Sequence, residues 1–519
     1  MAVSKAIHKK KISPYVISLA SLILLGIFLR FFNTPTRYSI DGDSIRDALV
    51  GYQGAKTFSF PLIGPFSSTG PYTFGSWYYI SIIIFFLLLP LPYSPWILMG
   101  ITSVVTILVM ADIGRLLHSQ KLAIILAFLT AIAPSQVTTA TSLSNINPIP
   151  FFAALTLWIV LKYIKKEFHH WIWYLLLGIV LGLGINDHYQ MIGLLCLPIF
   201  LWFIKGWKKY TIPLLIGSGI FVTLIPLLIF NLETHWHTVR GIEVMIAARQ
   251  RTYVANSWKI YLVQFWPSHL QYIFSSSLLV NIVLVLSCFT VFLISFIKKR
   301  ISSELLLIFL TFVINFILLR YYWGERHDVY VLYITPILFI FLGYVLVTLW
   351  DTKYIGKLLF LTISAIISWN MLQNDYSSIT HASRNESISW QKEFVMISNR
   401  YPHNNIVLYS CSSYYEAHKR YLVYLLNFSY QPSVKEKMLG MKEYECNYPL
   451  TKELDVNFGD YNIEQQHKIA VYPPLFSQMK ETNFNFIDLS PATPSAIQKA
   501  GWTMISTKDV FEKTVNWWH

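Results

Sequence analysis

The sequence predicts an all-α polytopic membrane protein. It has about 11 transmembrane helices, added juxtamembrane helices and a small C-terminal extracytoplasmic α/β domain. Three observations predict it. Of 519 residues, 54% are hydrophobic and 13% charged, about half the charged share of a soluble domain. Apolar runs of roughly 20 residues, the length that crosses a bilayer, recur through the first 372 residues. From residue 373 the runs shorten and polar residues return.

The spans read at 14–32, 95–117, 121–139, 149–166, 170–186, 189–205, 211–231, 273–297, 302–320, 329–349 and 355–372. Lys5, Lys9, Lys10 and Lys11 precede the first. That run is too long for a signal peptide and lacks a small-x-small cleavage site, so it is read as retained. Trp171, Trp173 and Trp207 crowd span ends, as interfacial belts do.

The basic N-terminus sets the orientation as cytoplasmic. Arg115/Lys121, Lys162/Lys165/Lys166, Lys205/Lys208/Lys209, Lys298/Lys299/Arg300 and Lys353/Lys357 mark further cytoplasmic loops. The segments 33–94, 140–148, 186–188, 232–272, 321–328 and 373–519 are then external. The net charge of +14 sits in short clusters between apolar runs, which suits anionic lipid and argues against nucleic acid.

A parity constraint shapes the first loop. An odd number of crossings must separate 33–74 from 115–121, yet two apolar runs lie between them. The run 76–92, interrupted by Pro90 and Pro92, is the weaker spanner and reads as a juxtamembrane helix. A second surface helix is expected from Asp43 to Lys56, where Ile45, Leu49 and Tyr52 share a face. In the C-terminal region, 390–399 and 415–427 read as helices, and 405–410 and 468–472 as strands. Cys196 and Cys288 fall in spans; for Cys411 and Cys446, a disulfide and two unlinked thiols both stand open.

Polar residues collect on the external side. Asp41, Asp43, Arg46 and Asp47 lie in the first loop, with Asn145 and Asn147 before Pro148. Asn186, Asp187 and His188 interrupt one pair of spans, and Arg320, Glu325, Arg326, His327 and Asp328 another. Buried unpaired acid is costly, so acids at membrane level are candidates for function. Asp43 is the candidate base; Asp41 and Asp47 are further acids. Asp41 and Asp43 are also a weak D-x-D pair for a divalent metal ion. Arg326 and His327 suit a phosphate, and Arg46, Asn147, Asp187 and His188 join them as candidate binding residues. Simpler readings remain: Asp43 as a helix cap, Arg46 as neutralising its neighbours, Asp187-His188 as a polar turn. An outward carboxylate with cations at headgroup depth suits a sugar on a polyprenyl phosphate, with base-assisted attack by an acceptor hydroxyl and inversion. The acceptor class, whether lipid, glycan or protein, stays open. A transporter or flippase of lipid-linked glycans is the alternative.

Three blocks of the first loop carry a resemblance: D-S-I-R-D-A-L-V (Asp43–Val50), L-I-G-P-F-S-S-T-G (Leu62–Gly70) and G-S-W-Y-Y (Gly75–Tyr79). With S-L-S-N-I-N-P (Ser142–Pro148), G-L-G-I-N-D-H-Y (Gly182–Tyr189) and R-H-D-V-Y-V-L-Y-I-T-P (Arg326–Pro336), the chain over 10–350 resembles membrane glycosyltransferases of the GT-C class. These include the protein O-mannosyltransferases and aminoarabinose transferases. The resemblance implies a polyprenyl-phosphate sugar donor and a first external loop with two juxtamembrane helices. It also implies Asp43 as the catalytic loop aspartate, Asp47 and His188 near the cavity, and Arg326 as a phosphate-binding cation. One departure is Ser44, where many relatives carry a second acid.

Overall fold

The computed structural model describes residues 13–39, 42–67, 71–248, 258–274, 277–297, 302–321 and 328–381, and short strands beyond 382. Asp41, Arg326 and His327 lie outside the described residues, as do Cys411, Cys446, the expected C-terminal helices and the strand expected at 468–472.

Helix α1 (Pro14–Phe31) and the short turn α2 (Thr34–Arg37) lead into the first loop. The loop holds α3 (Gly42–Thr57), an antiparallel hairpin of β1 (Ile63–Phe66) and β2 (Thr73–Gly75), and α4 (Trp77–Leu88). Then come α5 (Ser94–Leu117), α6 (Gln120–Ile132), α7 (Pro134–Thr141), α8 (Ile149–Ile164) and α9 (Ile172–Asp187). A 3₁₀ segment (Tyr189–Leu195) joins α9 to α10 (Cys196–Lys205), followed by α11 (Thr211–Glu233) and α12 (His237–Ala248). Next are α13 (Trp258–Ile260), a π-helical turn (Tyr261–Phe265) and α14 (Trp266–Ile273). The bundle ends with α15 (Leu278–Ile297), α16 (Ser303–Arg320), a second 3₁₀ segment (Asp328–Ile334), α17 (Thr335–Trp350) and α18 (Tyr354–His381).

By length and composition, six of the described helices can cross a membrane: α1, α5, α11, α16, α17 with the last 3₁₀ residues before it, and α18. The pair α6–α7, bent by 51°, brings the number to seven. Of the other expected spans, 149–166, 170–186 and 189–205 fall into shorter apolar helices, which include α8, α9 and α10, and 273–297 corresponds to the 20-residue α15. The cause is local. Pro134 lacks a donor N–H and breaks the run expected at 121–139, and the run at 189–205 begins as 3₁₀ helix. Beyond 382, β3 (Ile406–Tyr409) pairs in parallel with β4 (Met438–Met441) and β7 (Asn483–Asp488). Strand β9 (Phe511–Asn516) runs antiparallel to β7 and to β8 (Thr503–Met504). Short strands β5 (Glu443–Tyr444) and β6 (Glu453–Leu454) pair separately.

Helix α4 has 12 residues, about 18 Å at 1.5 Å per residue, well short of a roughly 30 Å hydrocarbon core. Helix α3 spans the stretch expected from helical spacing, and its apolar face meets protein. Ile45, Ala48 and Leu49 are buried in one cluster with Tyr78, Tyr79, Ile82 and Phe86 of α4 and Trp96 and Met99 of α5. Tyr52 sets its ring edge-on to Phe86 at 6.1 Å. Ser44 is fully buried and its hydroxyl donates to Ser39 O at 3.3 Å. Position 44 therefore faces the protein interior, an expensive place for the second acid of the relatives.

Ion pairs gather at one end of the bundle. Lys162, at the end of α8, meets Asp112 of α5 at 3.0 Å and Glu167 at 2.5 Å. Lys165 meets Glu304 at the start of α16 at 2.9 Å. Asn145 and Asn147 precede α8 and so lie at its opposite end.

The turn between α4 and α5 tests the surface placement of α4. A single cysteine at Tyr93, in a cysteine-free background, is expected to react with an impermeant maleimide added outside intact cells. Labelling only after the cytoplasm is opened would make α4 a crossing.

Candidate active site in the first loop

The first turn of α3 exposes Asp43, whose side chain is 75% accessible. Arg46, one turn on, donates from Nη1 to Asp43 Oδ1 at 2.7 Å. The same guanidinium donates from Nη2 and Nε to Asp47 Oδ1, at 2.8 and 3.0 Å. Asp47 is buried, at 1% exposure, and accepts a third bond from the Tyr79 hydroxyl of α4 at 2.8 Å. Spacing explains the set. Asp43, Arg46 and Asp47 sit at i, i+3 and i+4 and share a helix face, so one arginine reaches both acids. The reading of Arg46 as a neutralising partner describes its contacts in this structure.

The two acids have different surroundings. Burial raises the Asp47 pKa from 3.8 to about 6; Arg46 lowers it, the Asp43 charge raises it, and the bonds from Tyr79 and Arg46 lower it further. Against its own burial, Arg46 is held firmly protonated by Asp47, Tyr79 and Asp43.

A second cluster surrounds the end of α9. Asp187 is its last residue and is buried, and its carbonyl accepts from Asn145 Nδ2 at 2.5 Å. No hydrogen bond or ion pair engages the Asp187 carboxylate among the described residues. His188 turns the chain into the 3₁₀ segment, and its Nδ1 accepts from Gln190 N at 3.3 Å. The His188 ring stacks on Phe74 of β2 at 4.8 Å and on Tyr330 of the second 3₁₀ segment at 5.4 Å. The Tyr189 hydroxyl donates to Thr73 O at 2.6 Å. Asn147 keeps its amide inside its own turn, donating to Ser142 O and Oγ at 2.8 Å each.

Two links join the clusters. The hairpin is one: α4, which carries Tyr79, starts just after Gly75, and Gly75 abuts Asn186. A Cβ on Gly75 would lie 1.6 Å from Asn186 Oδ1. The turn before α8 is the other. Leu143 packs in the cluster of Ile45 and Tyr79, while Asn145 holds Asp187. Sequence reasoning named Asp43, Asp47, Asp187 and His188, and passed over Tyr79, Phe74 and Tyr330. All three missed residues lie within or beside the quoted blocks, where an aromatic next to polar residues was the available signal.

Among the described residues, no group of three or more His, Cys, Asp or Glu could hold a metal ion. Asp41, the partner of Asp43 in the expected D-x-D pair, lies outside the described residues.

Gly75→Ala is expected to destabilise the protein by about 1–3 kcal/mol, read as a lower thermal midpoint. Asn186 cannot swing away freely, because its Nδ2 donates to Gly182 O at 2.7 Å and to Thr223 Oγ1 at 3.3 Å. The Asp47 carboxyl gives a pH signature. It holds its proton more tightly folded than unfolded, at about 6 against 3.8, so its contribution favours the folded state at low pH and is lost as pH rises through 6. Acidifying from about pH 7 to about pH 5 should raise the thermal midpoint relative to Asp47→Asn. A difference that stays flat with pH would contradict the buried-acid assignment.

Comparison with known proteins bears on what this arrangement is. Residues 78–230 match the family of dolichyl-phosphate-mannose-protein mannosyltransferases. No curated protein matches the sequence. Among solved structures, apo ArnT from Cupriavidus metallidurans is similar with a TM-score of 0.61 at 12% identity, covering 96% of this chain and 97% of that one. The same enzyme bound to undecaprenyl phosphate gives 0.60 at 10% identity, with the same coverage. The apo oligosaccharyltransferase of Archaeoglobus fulgidus gives 0.51 at 13% identity, covering 80% of this chain; the chain spans 64% of that protein's length. The family match starts at the two tyrosines following the first-loop hairpin and covers less than a third of the chain, and the fold is shared with ArnT along nearly the whole chain.

Proposed function

We propose that the protein transfers a sugar from a polyprenyl-phosphate-linked donor to an acceptor hydroxyl on the extracytoplasmic side. The Asp43 carboxylate acts as general base and the anomeric carbon is inverted. One observation carries the reading: Asp43 presents an exposed carboxylate from a helix whose opposite face is buried, aimed by an arginine anchored on buried Asp47. The lipid class rests on the fold shared with ArnT, which binds undecaprenyl phosphate, and on the family match.

The step balances simply. Asp43 takes the proton of the acceptor hydroxyl as its oxygen attacks the anomeric carbon. The bond from that carbon to the phosphate oxygen breaks on the opposite face, and the polyprenyl phosphate leaves with the electron pair. Arg326 and His327 are assigned to the leaving phosphate as cations, which stabilise charge that grows in the transition state. His188, held neutral by burial and with Nδ1 already accepting from Gln190 N, is assigned to it as a hydrogen-bond donor through Nε2. Arg46 keeps Asp43 in place, and Asp47 fixes Arg46. Asp187 and Asn147 are assigned to substrate binding.

The test is to offer membranes a panel of radiolabelled polyprenyl-phosphate sugars and follow which label moves, and onto which acceptor. Asp43→Asn should insert normally and lose transfer by about 10²–10⁴-fold, the usual worth of a positioned base. Full transfer by this variant would remove Asp43 from the role of base.

A further inference from the structure

We infer that Asn315 of α16 is a positioning residue for the phosphate side of the site, acting through the two 3₁₀ segments that carry His188 and Tyr330. The inference rests on the proposed transfer reaction and extends it to a residue that touches neither substrate.

A 3₁₀ segment in an apolar bundle leaves carbonyls outside the regular helical ladder, and each needs another donor. Asn315 supplies one. It is fully buried, and its Nδ2 donates to Gly193 O of the first 3₁₀ segment at 2.9 Å and to Thr311 O of its own helix at 2.8 Å. Its Oδ1 accepts from the Tyr333 hydroxyl of the second 3₁₀ segment at 3.0 Å. One amide thus ties three elements. The space is tight: a Cβ on Gly193 would lie 2.0 Å from Asn315 Oδ1 and 2.9 Å from Tyr333 Cε2.

The tied segments are those that present the aromatic stack. His188 immediately precedes the first, and Tyr330 lies three residues before Tyr333 in the second. In a 3₁₀ helix, residues three apart fall on one side, so fixing Tyr333 also fixes Tyr330. The stack of Tyr330 on His188 follows. Arg326, assigned to the phosphate, lies four residues before Tyr330 in sequence. Support comes from the same stretch of α16, where the Tyr261 hydroxyl of the π-helical turn donates to Phe316 O. A polar residue kept at this depth with its donors and acceptor engaged specifies one arrangement of its neighbours.

The test separates positioning from general damage. Wild type, Asn315→Ala and Tyr333→Phe are assayed in membranes, with donor KM and acceptor KM measured separately. Positioning predicts a donor KM raised about tenfold in Asn315→Ala and about threefold in Tyr333→Phe, with acceptor KM unchanged. Simple loss of folded protein lowers the maximal rate and leaves both KM values alone; that pattern overturns the inference. Should Asn315→Ala fail to accumulate, the milder Tyr333→Phe decides by the same criterion. A wild-type protein that moves no label from any lipid-linked sugar is a distinguishable failure: it removes the transferase reading, and this inference with it.

Discussion

In this bundle, backbone carbonyls released where helices stop or bend need a side-chain donor, because hydrocarbon offers none. Four such places among the described residues have one. At the bend between α6 and α7, Arg30 of α1 donates to Thr130 O at 2.9 Å and Ala131 O at 2.8 Å. Beyond α1, Arg37 donates to Leu29 O and Phe32 O at 2.9 and 3.1 Å. Asn145 closes the end of α9, and Asn315 holds the 3₁₀ segment that follows. These donors fix the turns, and the turns carry the candidate site. Structural and chemical roles are therefore coupled: the site lies where the helices are interrupted, and the interruptions hold only because polar side chains are spent on them.

The same logic separates the two acids of α3. They lie one turn apart and share one arginine, yet one is exposed and the other buried. An exposed carboxylate can meet a hydroxyl without desolvation, whereas a buried one bonded to Arg46 and Tyr79 has little capacity left for substrate. Environment divides the labour between two chemically identical groups. On the proposed reaction, Asp43 takes the proton and Asp47 holds the arginine.

Much of this was legible in the sequence, for identifiable reasons. Helical spacing located α3 to within a residue at each end, since Ile45, Leu49 and Tyr52 mark a face whatever covers it. What covers it was not legible: the face meets α4 and α5, a tertiary fact that hydropathy does not encode. Span positions were readable, but hydropathy averages over Pro134 and cannot separate a continuous span from a bent pair. In the site, the acids stood out because acid is scarce in this chain. Tyr79, Phe74 and Tyr330 did not, because an aromatic residue at a span end already has an explanation as an interfacial anchor. Asn315 lies inside an apolar run, and its partners are distant in sequence.

The distribution of buried charge bears on the choice between surface chemistry and transport. Among the described residues, the buried charged side chains are Arg30, Arg37, Asp47, Lys162, Asp187, Glu304, Arg320 and Asp375. Lys162 and Glu304 belong to the ion-pair end, at the last turn of α8 and the first of α16. Arg30, Asp187 and Arg320 fall in the last turns of α1, α9 and α16, Asp375 in the last two turns of α18, and Arg37 and Asp47 in the first loop. None sits midway along a long helix. A carrier moving a phosphate or glycan across the bilayer needs polar partners along the path, because a charge at mid-membrane without them is prohibitively costly. A transferase needs them at one level, where the headgroup of its donor already lies. The described charges are concentrated at the two ends of the bundle. The end without the dense ion-pair network carries the exposed Asp43 and the unengaged carboxylate of Asp187, which is the arrangement that chemistry at headgroup level requires.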